Sequence, residues 1–396
     1  MEHSFILLNI ILAVCIAIVF SFAIQNLTRE RFKKELDENG RFDTLDGLRG
    51  LAAILVAIHH SFFFYWYAKN GEWSINYIGG GHIQILVDYL GKGSVSIFFM
   101  ITSFLFWGKI LCRVDTINWR EFYIKRFLRI APLYIVIVLF SIFYVMLTVK
   151  TPFDIYPYIR ASFYWLTFDF FGTPNINGFP LSKSIVAGVF WTLSYEWMFY
   201  FLLPVFSVFA VSKKSSMFIV CMMLAIFVFI YGFNIEIRLW PQIHVLCFII
   251  GAACAHIYKF YHGFIKNLKS PVFSVIAVAA LGVCIYLFDA PYSHVPTILI
   301  GIAFMIISSG NSVFGFLKIK SMKMLGTISF SVYLLHGITY TVLFSPMIKS
   351  GVSFLVAIAI TIPAILALST ASYLLIERKF MLKDRLTTER NLVNSL

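Results

Sequence analysis

The stretch LDGLRGLAAILVAIHHSFFFYWY, Leu45–Tyr67, decides the fold. Its apolar residues run on without alternating with polar ones, and at ~1.5 Å per residue the run is long enough to cross a hydrocarbon layer of ~30 Å as a helix. Within it His60 follows Arg49 by eleven residues. At ~100° per residue, eleven steps return to nearly the same helix face, and they climb ~16 Å. With Arg49 at one edge of the layer, His60 reaches the middle, where a proton-transfer side chain is shielded from both aqueous phases. Its neighbour His59 lies ~100° around the helix, so the two histidines are not equivalent.

The rest of the chain has the same character. Of its 396 residues 60% are hydrophobic and 13% charged, and the mean hydropathy is positive, which excludes an ordinary soluble domain. A closed strand barrel would show alternating segments of about ten residues instead of long continuous runs. The expected fold class is therefore all-α, a polytopic transmembrane helical bundle of about eleven spans. These are Ser4–Asn26, Leu48–Tyr67, Ser94–Leu111, Ile130–Val149, Ile185–Val211, Ser216–Phe233, Gln242–Tyr258, Pro271–Phe288, Pro296–Gly310, Ile328–Phe344 and Val352–Ile376. Residues 1–41 read as an N-terminal anchor span and linker, 42–380 as one transmembrane domain, and 381–396 as a tail. No internal repeat or long low-complexity linker interrupts them.

The formal charge of +13 raises nucleic acid as a partner, but the distribution of the basic residues points to membrane topology. With the N-terminus outside, only Lys69, Lys92, Lys150, Arg160, Lys183, Arg238 and Lys349 fall in outer segments; the other 25 of 32 Lys and Arg fall in cytoplasmic ones. The positive-inside rule then places the N-terminus extracytoplasmic and the C-terminus in the cytoplasm. The start MEHS lacks the basic region of a secretory signal and TRERFKK follows the first apolar run, so that run reads as an uncleaved anchor. Cys15, Cys112, Cys221, Cys247, Cys254 and Cys284 show neither metal-ligand spacing nor a disulfide framework.

Ionisable groups inside apolar spans are costly and so are candidates for function. Besides His60, which acts as a base or packs helices, there is Glu196 in VFWTLSYEWMFYFLLP, about eleven residues into its expected span; Arg49, His60 or a buried hydroxyl is its expected partner, in a site or in an interhelical hydrogen bond that holds the bundle together. Trp191 and Tyr195 beside it read as substrate-contacting or structural. His336 in LGTISFSVYLLHGI reaches a similar depth, with Ser329 and Tyr333 on the same face, a polar stripe that lines a cavity or cements helices. Asp46, three residues before Arg49, can cap a helix start and pair with the arginine, while Gly47 and Gly50 permit close backbone approach. In INWREFYIKRFLRIAPLY, an interfacial helix feeding the next span, Arg126 and Arg129 share a face and either grip one polyanion together or bind lipid headgroups and orient the helix. The aromatic-rich outer loop Lys150 to Lys183 either stacks sugar rings or lies in the membrane interface.

No P-loop, dinucleotide glycine pattern or Ser-His-Asp order is present. A base at mid-membrane can deprotonate a hydroxyl arriving from one face while an activated donor arrives from the other. A sugar exporter with His60, Glu196 and His336 as a proton relay uses the same residue types.

Taken in order, LDGLRGLAAILVAIHH, VSIFFMITSFLF, KRFLRIAPLY, FWTLSYEWMFYFLLP and ISFSVYLLH with IERKF resemble the motifs of the membrane-bound acyltransferase-3 family, of carbohydrate O-acetyltransferase type, from Phe42 to about Phe380. The first motif has an Arg followed eleven positions later by a His and selects His60 over His59. The resemblance implies a ten-span core, here with one extra N-terminal span, and no permanently bound cofactor. It implies acyl-CoA, most often acetyl-CoA, as co-substrate, and an extracytoplasmic glycan such as a surface polysaccharide or its lipid-linked precursor as acceptor. It further implies His60 as base, Glu196 as its orienting carboxylate, Arg49 positioning the donor or base, and Arg126 and Arg129 holding CoA phosphates. The chain departs from the family pattern at Ser96, where an Asp is usual, at Thr102-Ser103 in place of Ser-Gly, and at Lys379 in place of Pro. These departures bear on local packing or substrate choice more than on reaction class.

Overall fold

Inside a bilayer an apolar run must satisfy its own backbone N–H and C=O groups, and every such run is helical in the computed structural model, which describes residues 3–37, 42–78, 80–113, 117–148, 154–210, 212–233 and 242–380. Among these residues there is no strand. The expected tail 381–396, linker residues 38–41, Lys150 and Arg238 lie outside them. Helices α1 (His3–Leu27) and α2 (Arg29–Asp37) precede α3 (Asp43–Asn70), which holds the opening stretch. Next come α4 (Gly81–Asp88) and α5 (Ser94–Arg113), joined through a π-helical segment at Tyr89–Gly93. Helices α6 (Trp119–Thr148), α7 (Ile155–Trp165), α8 (Trp191–Phe209), α9 (Lys213–Gly232) and α10 (Gln242–Phe260) follow. Then α11 (His262–Asn267), α12 (Pro271–Leu287), α13 (His294–Ser308) and α14 (Lys320–Thr327) lead to α15 (Ser329–Thr339). A second π-helical segment, Tyr340–Phe344, joins α15 to α16 (Ser345–Lys349), and a third, Tyr373–Glu377, ends α17 (Phe354–Ser372).

Nine helical stretches among the described residues are long and apolar enough to cross a membrane, and α12 and α13, at 17 and 15 residues, are apolar but shorter. These two correspond to the expected spans Pro271–Phe288 and Pro296–Gly310. Three boundaries differ from the sequence expectation. The span expected from Ser94 starts at Gly81, because Asp88 and Lys92 pair one turn apart at 3.1 Å and cancel the charges that read as loop. The span expected from Ile185 becomes helical only at Trp191. Left-handed backbone at Ala187 and Gly188 (φ 54° and 65°) breaks it, and hydropathy does not register such a turn. The interfacial helix and the span expected from Ile130 form one continuous α6, with Pro132 inside it.

Helix α3 packs against α14, α15, α5 and the Tyr89–Gly93 segment. The contact with α14 is backbone on backbone, since a Cβ on Gly326 would stand 2.0 Å from the Asp46 carbonyl oxygen; in the turn just before α14, the Leu317 oxygen would stand 2.0 Å from a Cβ on Gly47. Close approach of small residues is how helices associate where hydrophobic burial gives no preference over lipid. An Asp43–Lys323 ion pair at 2.8 Å and a Thr44 hydroxyl donating to Ile307 O at 2.9 Å fix the register. His59 is buried here: its Nδ1 donates to Val87 O at 2.7 Å, and a Cβ on Gly91 would come within 2.4 Å of its ring. Exposed apolar side chains such as Val19, Leu147 and Phe218 cover the outside, as lipid contact requires.

Replacing Gly326 by Val should therefore separate α3 from α14 and cost ~1–3 kcal/mol, read as a lower melting temperature of the purified protein in detergent. Gly282→Ala, where a Cβ meets nothing within 4 Å, should leave the melting temperature unchanged or raise it.

Candidate functional site

Helices α3, α5, α6, α8 and α15 enclose a cavity of ≈ 310 Å³. Arg49 enters it from α3, Lys109 from α5, Arg126 and Arg129 from α6, Glu196 and Tyr200 from α8, and Ser329 and Tyr333 from α15; Phe98, Phe99 and Phe106 form an apolar wall. Four cations thus face one carboxylate. Such a surplus in a low-dielectric space attracts a polyanion strongly.

The charges are held by partners drawn from the same helices. Arg49 pairs with Asp46 one turn earlier at 3.5 Å. The Arg126 guanidinium lies 5.0 Å from the centroid of the Phe106 ring, with its Nε buried and without a hydrogen-bond partner. Lys109 lies over the same ring at 5.0 Å. Cations on an aromatic face are stabilised without being neutralised. Glu196 accepts a hydrogen bond from the Tyr200 hydroxyl, four residues later on α8. The expected buried-hydroxyl partner is thus Tyr200, and because α8 starts at Trp191, Glu196 stands only five residues into its helix.

Beyond Tyr333 the structure joins two histidines. His336 Nε2 lies 3.1 Å from His60 Nδ1. Each Nδ1 also faces a carbonyl one turn back, His60 to Val56 O at 3.0 Å and His336 to Val332 O at 3.1 Å. A carbonyl only accepts, so in the neutral rings both protons sit on Nδ1. The His60 N–H is then shared between Val56 O and the His336 Nε2 lone pair, which leaves the Nε2 of His60 as a basic lone pair. Tyr340, donating to Ala57 O at 3.0 Å, clamps the helix carrying His336 against α3.

The sequence candidates consequently divide into groups. Arg49, Arg126, Arg129, Glu196, Ser329 and Tyr333 line the cavity. His60 and His336 form the imidazole pair and are not in its lining, so Arg49 and His60 do not share it despite their spacing. Tyr333 connects the two: it lines the cavity, meets the Thr192 hydroxyl at 2.9 Å, and its ring lies 6.1 Å from that of His336. Asp46 pairs with Arg49 but is itself outside the lining. Trp191 and Tyr195 instead pack around buried His244, at 4.9 and 5.1 Å between ring centroids.

Several polar residues escaped the sequence reading. Tyr200 could have been found as the i+4 neighbour of Glu196. Glu377, in IERKF, is buried and accepts from the Ser331 hydroxyl, while its other oxygen is buried without a partner. No local signal ties it to Ser331, 46 residues away. In the long loop, Phe168 and Asp169 adopt left-handed backbone (φ 54° and 63°), and burial raises the Asp169 carboxyl above the usual carboxylate range.

Comparison with curated proteins and with solved structures gives no match. A family model described as an acyltransferase domain, that of the acyltransferase-3 family, matches residues 42–374, which takes in every side chain of the cavity and both histidines of the pair. The chain belongs to the acyltransferase-3 family of membrane acyltransferases.

Proposed function

We propose that this acyltransferase moves an acyl group, most simply acetyl, from acyl-CoA to a hydroxyl of a glycan, either a surface polysaccharide or its lipid-linked precursor. The observation that carries this is the gathering of three arginines and Glu196 in one cavity beside a histidine pair with a free basic nitrogen. In this reading the protein spans the inner membrane many times, with its N-terminus outside, its C-terminus in the cytoplasm and the basic end of the cavity facing the cytoplasmic donor.

The chemistry divides among the groups. Arg126 and Arg129, one turn apart on α6, hold donor phosphates, and Arg49 places the thioester end. His60 Nε2 takes the proton of the acceptor hydroxyl as its oxygen bonds to the acyl carbon. The C–S bond breaks and CoA leaves as a thiolate, which a proton then neutralises. The positive charge formed on His60 is shared through its Nδ1–H with His336, which makes the pair a stronger base than either ring alone. Glu196, held by Tyr200, balances the arginines and keeps the acceptor end of the cavity from repelling an imidazolium. A sugar exporter is the second reading; the observation that favours it is the same His60–His336 contact, which can relay protons.

Glycan mass distinguishes the two. In cells holding His60→Ala at wild-type membrane levels, the glycan should lose its acyl increment while export continues, whereas lost export with unchanged acylation would favour the exporter. Truncating the general base should lower turnover ~100-fold or more. His336→Ala should lower kcat with KM nearly unchanged in a membrane acyl-transfer assay; a rise confined to KM would remove it from the proton path. Arg126→Ala should weaken acyl-CoA binding to the purified protein ~10-fold, and unaltered affinity would retire its assignment.

A further inference from the structure

At ≈ 310 Å³ the inner cavity is near the lower end of the ~300–1,000 Å³ typical of small-molecule sites. A CoA thioester is a nucleotide joined to a long pantetheine arm and needs more room than that. A second cavity of ≈ 560 Å³ adjoins the first, and Leu105, Phe106 and Lys109 belong to the walls of both. Helix α5 runs along the two, from Val95 in the inner lining to Cys112 in the outer. At ~1.5 Å per residue this is roughly 25 Å of continuous lined path, a length that suits an extended CoA. The lining of the outer cavity has two chemistries. Lys109, Lys125 and Lys259 supply positive charge, and Trp119, Phe122 and Tyr258 supply aromatic surface.

The lysines are not equivalent. Lys125 is engaged by Glu121 one turn away on α6. Lys109 sits over Phe106 at the junction between the cavities. The ammonium of Lys259, an exposed residue near the end of α10, reaches the thiol of Cys112 at 3.7 Å, a weak acceptor that does not neutralise it. Aromatic faces beside a cation of this kind are what a purine and its phosphate bind.

We propose that the outer cavity is the site of a nucleoside 3′-phosphate, with the adenine among Trp119, Phe122 and Tyr258 and the 3′-phosphate on Lys259. This rests on the acyl-CoA reading and deepens it. The pyrophosphate then falls at the junction, between Lys109 and the arginines, and the pantetheine arm occupies the inner cavity. Lys259 is the residue that tells CoA from dephospho-CoA, which lacks only the 3′-phosphate.

The test measures binding of CoA and dephospho-CoA to the purified full-length protein, wild type and Lys259→Ala, with Lys259→Met as a second variant that keeps the apolar stem. Wild type should prefer CoA ~10-fold, the worth of one charged hydrogen bond. Both variants should lose that preference with the affinity for dephospho-CoA unchanged. If wild type binds both ligands equally, or if the preference survives in both variants, the 3′-phosphate assignment is overturned while the acyl-CoA reading stands. If wild type binds neither ligand, both fall.

Discussion

Ionisable side chains among membrane-spanning helices are costly to bury, and this chain sets three arginines and a lysine around one cavity. Much of the surrounding structure can be understood as accommodating those charges. Phe106 supports Arg126 and Lys109 by its ring face. Asp46, Glu196 and Glu377 are carboxylates near these cations, and Glu196 is itself held by Tyr200. Full neutralisation by buried carboxylates would give a quieter bundle and a poorer anion site.

The same helices fix the basic nitrogen. Three elements have to agree for His60 to keep its proton on Nδ1: the Val56 carbonyl on its own helix, His336 on α15, and the Val332 carbonyl that sets the His336 tautomer. Their spacing depends on α3 lying close to α14 and α15, which Gly47, Gly50 and Gly326 permit by lacking a Cβ. Helix packing thus decides a protonation state some distance from the glycines themselves.

Much of this was legible in the sequence, and what was not has physical causes. Ionisable residues inside apolar runs stand out by their cost, so His60, Glu196 and His336 could be selected before any geometry was known, as could Arg49 by its spacing to His60 and Arg126 with Arg129 by their shared helix face. Helix phase separated His60 from His59, and the packing of His59 on Gly91 agrees with that separation. Pairings between distant segments could not be read: His60 meets His336 across 276 residues and Ser331 meets Glu377 across 46. Nor could helix phase say that Arg49 lines the cavity while His60, nearly aligned with it on α3, does not, since the neighbouring helices set where the cavity ends. The late start of α8 was hidden because its left-handed turn is built of apolar residues.

Three of the helices carry a π-helical segment: Tyr89–Gly93, Tyr340–Phe344 and Tyr373–Glu377. Each adds a residue to a turn, so side chains on either side are about 100° out of step with uninterrupted α-helical counting. The segments lie next to what the site uses: one receives His59, another contains the Tyr340 that holds α3, and the third ends on Glu377. A relative lacking one of these insertions would show the same residues in the same order, aligned with at most a single-residue gap. Everything past that point would nevertheless turn toward lipid or toward a different neighbour. Within this architecture, the number of residues in a turn is as much a part of the site as the side chains that line it.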